Sequence, residues 1–312
     1  MVATRVRGAA VGGPLPSAAM GFPEGLGIVD LMVELPRGGP GMGMKEASRL
    51  MRDAGSREFS HHPAQYLFKD APERMADAAD PAHVVALMDA HGIAVAQIDV
   101  NPRRPEHALE LFERFPGRFF GTIGVDPNQG MEAVRDLRRA AALHPNVRSC
   151  ALAPCLYSPQ VPIDDKRMYP IYATCIELGL PVNVLVGVPG PRVPFDCQRP
   201  ERLDEVCWFF PELTVVMRHG GEPWVDLCVK LLLKWPNLHY STSAFAPKHY
   251  PREILEFANT RGTDKVVFAG YYPGLSWERV LGELRALPLR DHVWAPFLRD
   301  NAWRLFSLDT LV

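Results

Sequence analysis

A histidine that follows an apolar run is the strongest chemical signal in this sequence. His219 comes shortly after Leu213–Met217, a run whose length and composition predict a buried strand. In an α/β barrel, catalytic groups lie at the C-terminal ends of the strands. A histidine in that position is typical of a metal ligand or of a proton carrier. With its neighbours Arg218 and Glu222, His219 would act as a general acid or base whose pKa is tuned by burial. The alternative is a histidine that only bonds the backbone near the barrel mouth.

Carboxylates and phenols follow other apolar runs. Glu34 comes after the first run, where it would act as a general base, anchor a cationic group of a substrate, or pair with Arg218. Asp30 lies within that run and is better placed to cap loop amides below the mouth. Tyr271 ends the last run and Tyr272 follows it, where phenols would donate to a developing oxyanion, form aromatic walls, or fill space.

The elements that must position these side chains alternate along the chain. Most of the apolar runs are followed by a segment with helical spacing, and several are apolar on both faces, which favours a buried parallel sheet. Eight such units predict an α/β fold of the (β/α)₈ TIM-barrel type. A doubly wound open sheet is the alternative, but no strand-to-helix turn carries G-x-G-x-x-G. The eight runs are GIVDLMV, AVAQIDV, FFGTIGV, VRSCALA, LPVNVLVGV, LTVVMRH, NLHYSTS and KVVFAGY.

Two connections are longer than ordinary loops, and they divide the chain into few parts. Residues 36–80 follow the first strand, and a connection of this length is typical of an active-site lid. This lid carries His61 and His62, which would lie over a bound ligand or in solvent. A proline-rich segment, 189–200, follows the fifth strand. Residues 1–25 are predicted to be a disordered arm, and residues 26–312 a single barrel domain that includes the lid.

The composition limits the possible partners. The net charge of −2 argues against nucleic acid held by bulk charge, and no apolar run approaches the roughly 20 residues of a membrane span. The six cysteines form no CxxC pair, which is typical of buried free thiols in a cytosolic protein. We therefore expect a cytoplasmic protein with a small-molecule substrate, no nucleic acid and no membrane partner.

Several phrases, in their order along the chain, resemble one protein family. They are FPGRFFG, GVDP, RHGGEPW, TSAFAPKHYP, KVVFAGYYPGLSWE and FLRDNAWRLF. Together they are similar to amidohydrolase-related proteins of the aminocarboxymuconate-semialdehyde decarboxylase type, over roughly residues 26 to 308. The resemblance implies a metal-bearing (β/α)₈ barrel that decarboxylates, hydrates or hydrolyses small compounds. It also implies pairing, as a homodimer or with a related barrel.

The metal pattern implied by this resemblance is largely missing. The H-x-H that usually ends the first strand is replaced by Met32 and Glu34, and the usual fifth-strand histidine by Val188. The sixth-strand histidine is kept as His219, whereas Tyr271 stands where the eighth strand usually supplies aspartate. A catalytic zinc needs about three nitrogen or oxygen ligands, and a methionine thioether is too soft to replace one.

We therefore expect a metal-independent enzyme without a cofactor, a hydrolase or a lyase such as a decarboxylase, acting on a small and rather apolar organic acid or acyl compound. Two alternatives remain open. One is a non-catalytic homologue that binds a ligand or partners an active paralogue, and the other is an altered metal site at Glu34 and His219. The predicted catalytic residues are His219, Glu34 and Tyr271, and the predicted substrate-binding residues are Arg218, Met32, Val188, Tyr272, His61 and His62.

Overall fold

The computed structural model describes residues 21–35, 44–59, 62–68 and 71–312. Eight parallel strands form one sheet in chain order, each beside its sequence neighbour. This arrangement confirms the predicted fold class. The strands are β1 (Ile28–Asp30), β2 (Ile93–Val100), β3 (Phe119–Gly124), β4 (Val147–Leu152), β5 (Val182–Leu185), β6 (Val215–Arg218), β7 (Leu238–Ser241) and β8 (Val266–Val267).

The first and last strands meet through the backbone just beyond their ends. Val33 forms a parallel bridge with Tyr272. The Leu31 N–H donates to the Phe268 carbonyl at 3.3 Å, and the Glu34 N–H donates to the Tyr272 carbonyl at 2.9 Å. These bonds join β1 to β8, so the sheet closes into a (β/α)₈ barrel.

Helices surround the sheet, at least one after each strand. In α6, the buried Val134, Leu137 and Ala140 recur at helical spacing and pack towards the strands. The helices are α1 (Met44–Leu50), α2 (Ala54–Arg57), α3 (Ala71–Asp77), α4 (Pro81–Ala90), α5 (Glu106–Arg114), α6 (Met131–Ala141), α7 (Tyr169–Leu178), α8 (Arg202–Phe209), α9 (Val225–Lys234), α10 (Arg252–Ala258), α11 (Trp277–Leu284), α12 (Asp291–Ala295) and α13 (Asn301–Leu305).

The C-terminal segment closes the end of the barrel opposite the mouth. Ala302, Phe306 and Leu308 pack into the same apolar cluster as the interior side chains of the strands. The Val312 carbonyl accepts from the Asn146 side chain, which lies just before β4. Because this closure lies at the N-terminal ends of the strands, ligands must enter at the opposite end.

The N-terminal arm lies mostly outside the described residues. Residues 1–20 are in that part of the chain, so their predicted disorder stays a prediction. Residues 21–25 reach the barrel, where the Phe22 ring packs edge-on against Trp294 with centroids 5.3 Å apart.

All six cysteines are buried free thiols, as their scattered spacing indicated. Burial raises the pKa of the Cys155 thiol, which argues against a nucleophilic role. Among the helices that the structure describes, none combines the length and the apolar character of a membrane span.

Asp30 stabilises the junction between β1 and β8, which we call the seam. Its carboxylate is fully buried and accepts three hydrogen bonds, from the Gly270 N–H at 2.8 Å, the Met32 N–H at 3.0 Å and the Trp277 indole N–H at 2.7 Å. A Cβ at position 270 would lie 2.5 Å from the Asp30 oxygen, so glycine is required there. This is the amide-capping role that the sequence indicated for Asp30.

Replacing Asp30 is therefore expected to destabilise the barrel strongly. Asp30→Ala leaves three donors without their acceptor, and we expect the free energy of unfolding to fall by roughly 3 kcal/mol or more. Urea unfolding followed by circular dichroism measures this. The matched control, Asp226→Ala on the exposed face of α9, should change stability by no more than about 0.5 kcal/mol. A loss below about 1 kcal/mol for Asp30→Ala would show that the seam does not depend on this carboxylate.

Candidate active site at the barrel mouth

The ends of β6, β7 and β8 bring a histidine, a serine and a tyrosine together. The His219 ring lies edge-on to the Tyr271 ring, with centroids 5.7 Å apart. The His219 backbone N–H donates to the Ser243 Oγ at 3.0 Å, and the His219 Nδ1 is 3.1 Å from the same oxygen. The structure therefore brings two of the three predicted catalytic residues into direct contact, oriented by a serine.

The backbone at these strand ends adopts an unusual conformation. His219, Ala244 and Tyr271 have φ angles of +65°, +72° and +66°, in the left-handed region that side chains other than glycine rarely adopt. Such residues cost roughly 1–3 kcal/mol each and persist where the surrounding structure fixes them, often at functional sites. The strained turns fix how the His219 and Tyr271 rings face each other.

The lid contributes the third ring of the site. His62 is only 7% exposed, and its Nε2 lies 3.0 Å from the Tyr271 hydroxyl oxygen. The Ala64 N–H donates to the His62 Nδ1 at 3.0 Å, and Phe68 packs against Tyr271 with ring centroids 5.2 Å apart. The other lid histidine, His61, lies outside the described residues.

The lid is attached to the segment that follows β5. The Tyr66 hydroxyl donates to the Gly190 carbonyl at 2.8 Å. The Arg192 guanidinium lies 4.6 Å from the Tyr66 ring centroid and donates to Asp53 at 2.9 Å. A Cβ at position 190 would lie 2.8 Å from the Ala64 Cβ, so the two segments pack closely. The described part of the predicted lid and the proline-rich segment therefore pack against each other.

A buried cation lies at the end of β6. Arg218 is 4% exposed, and its Nη2 donates to the Leu31 carbonyl at 3.0 Å and to the Gln97 side-chain oxygen. Its Nε and Nη1 make no hydrogen bond within the described residues. Burial lowers the pKa of Arg218 to about 10, so it remains charged at neutral pH, and its charge acts on Asp99, whose pKa burial raises to about 6.

Burial keeps the rings of the site neutral. It lowers the pKa of His219 to about 3, with the Arg218 charge as a second cause, and it lowers the pKa of His62 to about 4. Burial and the charge of Glu34 raise the pKa of the Tyr271 phenol. At neutral pH the site therefore offers an unprotonated His219, a phenol that can donate a proton, and a fixed cation.

Two predicted substrate-binding residues are not part of this group. Tyr272 is 4% exposed and stacks on Trp277, with ring centroids 4.3 Å apart, so it packs towards α11 instead of the mouth. Val188 is 52% exposed, and its N–H donates to the Glu222 carbonyl at 2.8 Å. Met32 is half-buried against the interior apolar cluster.

Sequence reasoning missed a polar layer beneath Arg218. The Gln97 amide donates to the Ser149 hydroxyl at 3.0 Å, and the Asn183 amide donates to the same oxygen at 3.2 Å. The sequence indicates this layer only through polar residues inside apolar runs, namely Gln97 in AVAQIDV and Asn183 in LPVNVLVGV. Three buried atoms of the interior, the Asn183 Oδ1, the Ser241 Oγ and the His239 Nδ1, have no partner within the described residues.

The donor atoms around His219 do not suit a catalytic metal. Within the described residues, no group of three or more histidine, cysteine, aspartate or glutamate side chains is placed to hold one. The Tyr271 oxygen is already engaged by His62, and its raised pKa opposes the phenolate form that a metal requires. Met32 offers only a neutral thioether.

Comparisons with known proteins agree with this fold. The family model described as Amidohydrolase matches residues 33–308. An uncharacterised TIM-barrel protein of Bordetella bronchiseptica is 23% identical, with a TM-score of 0.71, and the match covers 90% of this chain and 98% of that one. No curated protein is similar enough in sequence to count as a relative.

Two solved decarboxylases share the same architecture. The 5-carboxyvanillate decarboxylase of Sphingomonas paucimobilis is 15% identical, with a TM-score of 0.64 over 90% of this chain and 99% of that one. A dihydroxybenzoic acid decarboxylase of Polaromonas, solved with bound manganese and the inhibitor 2-nitroresorcinol, is 15% identical, with a TM-score of 0.63 over 91% and 97%. At these identities the likeness shows the fold.

The buried histidines are expected to make the protein sensitive to acid. Burial lowers the pKa of His239 from 6.5 to about 3, so below about pH 6.5 the unfolded chain binds a proton that the folded protein excludes. The free energy of unfolding therefore falls as the pH falls. Between pH 7 and pH 5, His239 alone should account for about 2 kcal/mol of this loss. Asp30 and Asp99, with pKa values raised from 3.8 to about 6, act in the opposite direction below pH 6.

Urea unfolding of the parent protein and of His239→Asn at pH 7 and pH 5 measures this contribution. The variant should lose about 2 kcal/mol less than the parent on acidification. His83→Asn, on the exposed face of α4, serves as the control and should follow the parent. Equal losses in all three proteins would contradict the buried neutral state of His239.

Proposed function

This chain belongs to the amidohydrolase family, and on that premise we propose that it is a metal-independent lyase or hydrolase. Its substrate is a small, rather apolar organic acid that binds at the barrel mouth. The observation that carries the proposal is the Arg218 guanidinium, buried and charged, with Nε and Nη1 left without a hydrogen-bond partner in the described structure. A buried cation with spare donors is a binding site for an anion.

The substrate carboxylate binds to the free side of the Arg218 guanidinium. A planar guanidinium matches a carboxylate with two parallel hydrogen bonds, which fixes the orientation of the acid as well as its position. The charge of the bound carboxylate also offsets that of Arg218. Because the Arg218 charge is one cause of the lowered pKa of His219, binding raises that pKa towards the range in which His219 can act as a base.

His219 and Tyr271 then divide the proton transfer between them. The unprotonated His219 accepts a proton from a substrate hydroxyl or from a water molecule, and the Ser243 hydroxyl orients its ring. In a decarboxylation, the Tyr271 phenol gives its proton to the ring carbon that bears the carboxylate, the bond between them breaks and carbon dioxide leaves. His219 then returns its proton to the product oxygen, and Tyr271 regains a proton from water. The negative charge of Glu34 raises the pKa of Tyr271 and so favours the protonated form of its phenol.

An aromatic acid is the favoured substrate class. Tyr271, whose pKa is affected by the Arg218 charge, packs against Phe68, so aromatic surface lies beside the site. The two decarboxylases with the same fold act on substituted benzoic acids, which combine a carboxylate with a flat apolar ring. Decarboxylation of such an acid is therefore the reaction that we favour over hydrolysis.

A non-catalytic homologue is the second candidate. The contact between His62 and Tyr271 favours it, because the His62 side chain already occupies the Tyr271 hydroxyl oxygen. Such a protein would bind a ligand without turnover or act as a partner subunit. A homodimer, pairing with a related barrel, and a cytoplasmic location all stay predictions.

Binding of carboxylates to Arg218 can be measured directly. Benzoate and its 2-hydroxy and 3-methoxy-4-hydroxy derivatives should raise the melting temperature of the parent protein. Arg218→Gln should weaken their binding by roughly 10- to 100-fold, because it removes charge-assisted hydrogen bonds worth about 1.5–3 kcal/mol. The control is Arg279→Gln, an exposed arginine on α11 whose guanidinium pairs with Glu283, and it should bind like the parent.

The same panel separates the two candidates. Release of carbon dioxide by the parent, lost in His219→Ala and in Tyr271→Phe, supports the enzyme. Binding that depends on Arg218 without turnover of any member of the panel would favour the ligand-binding homologue. Affinities of Arg218→Gln equal to those of the parent would contradict the anion site itself.

Independence from metal has its own test. After treatment with a chelator, the protein incubated with Mn²⁺ or Zn²⁺ should retain well below one ion per chain, with turnover unchanged. The triple variant Met32→His, Glu34→His and Tyr271→Asp restores three donors beside His219, and it should gain metal. Stoichiometric metal in the parent that disappears in Glu34→Gln would instead establish the altered site at Glu34 and His219.

A further inference from the structure

The donor and the acceptor in each hydrogen bond of His62 can be assigned in only one way. The Ala64 backbone N–H can only donate, so the His62 Nδ1 that faces it at 3.0 Å must be the unprotonated nitrogen. In a neutral imidazole the proton then lies on Nε2. Burial keeps His62 neutral at neutral pH. The Nε2–H therefore donates to the Tyr271 hydroxyl oxygen, 3.0 Å away.

The ring cannot meet both partners in any other orientation. Turning it by half a rotation would place carbon atoms opposite the Ala64 N–H and the Tyr271 oxygen, and both hydrogen bonds would be lost. The ring is also held in place by Phe68, edge-on with centroids 5.1 Å apart. The proton position on His62 thus follows from the packing of the lid.

This arrangement decides where the Tyr271 proton points. A phenol oxygen that accepts from His62 has its own O–H left to donate, and that O–H must turn away from the lid. On the side away from His62, Tyr271 interacts with the His219 ring and with the charges of Glu34 and Arg218. These groups surround the place where the substrate acid is proposed to bind.

We propose that His62 is a positioning residue, which accepts from the Ala64 backbone and donates to Tyr271 so that the Tyr271 O–H is aimed at the bound acid. This inference rests on the proposed function and adds a role for the lid. The hydrogen-bonded chain from Ala64 through His62 to Tyr271 depends on the position of residues 62–68 against Tyr271.

Two substitutions separate positioning from packing. In His62→Gln, the amide oxygen can accept from Ala64 and the amide N–H can donate to Tyr271, so both bonds can be kept. His62→Leu fills a similar volume but can neither accept nor donate. A packing role predicts that leucine is the better replacement, whereas a positioning role predicts glutamine.

The first measurement is nitrogen NMR of the protein labelled with ¹⁵N-histidine. The His62 signals, assigned with His62→Gln, should show a protonated Nε2 and an unprotonated Nδ1 at neutral pH. Tyr271→Phe should shift the Nε2 signal and leave Nδ1 nearly unchanged. A protonated Nδ1, or an Nε2 signal that is indifferent to Tyr271→Phe, would overturn the proposal whether or not any substrate is found.

The second measurement is turnover of whichever benzoate the parent decarboxylates. His62→Leu should lower kcat roughly 10- to 100-fold with little change in KM, as expected when a reacting group is misplaced, and His62→Gln should restore most of it. Full kcat in His62→Leu would overturn the positioning role. No turnover by the parent, with the NMR signals as expected, would instead show that the proposed reaction fails while the hydrogen bond to Tyr271 stands.

Discussion

The seam between β1 and β8 is the constraint on which the site depends. A barrel closes only if its last strand meets its first in a fixed register, and here the buried Asp30 carboxylate binds the backbone of both strands and the Trp277 indole. The Gly270 N–H is one of its donors, so the residue that follows is placed by the closure itself. That residue is Tyr271, whose left-handed backbone turns its ring to His219. The stability of the barrel and the geometry of the mouth thus have a common origin.

The electrostatics of the mouth follow from a second constraint, the burial of Arg218. A guanidinium that is 4% exposed has lost most of its hydration, and its bonds to Leu31 and Gln97 replace only part of it. The uncompensated charge adds to the effect of burial on His219 and keeps that ring unprotonated. The same charge attracts anions. Arg218 therefore helps to keep His219 unprotonated, and in the proposed function it also attracts the substrate carboxylate.

The sequence could predict the barrel because its signal is repeated eight times in apolar runs, and an error in one run would not change the fold. It could also predict that His219 and Tyr271 meet, since the ends of parallel strands converge. It predicted Tyr271 as a catalytic residue and Tyr272 as a substrate-binding residue, but it could not predict that Tyr272 packs on Trp277, because that contact depends on how α11 lies against the barrel. The contact of His62 with Tyr271 spans 209 residues of chain and depends on how the lid lies, which no local pattern encodes.

Two features of the barrel mouth lower the stability of the fold, and they bear on whether the site is functional. A purely structural barrel has no need of a buried arginine with unused donors, since an apolar side chain of similar volume is often as stable or more stable. It also has no need of histidine and tyrosine at left-handed positions, where glycine would relieve roughly 1–3 kcal/mol of strain at each. Both features are explained if Arg218 binds an anion and the strained turns hold the His219 and Tyr271 rings against that anion. The energetics of Arg218, His219 and Tyr271 therefore favour a working site over an inert remnant.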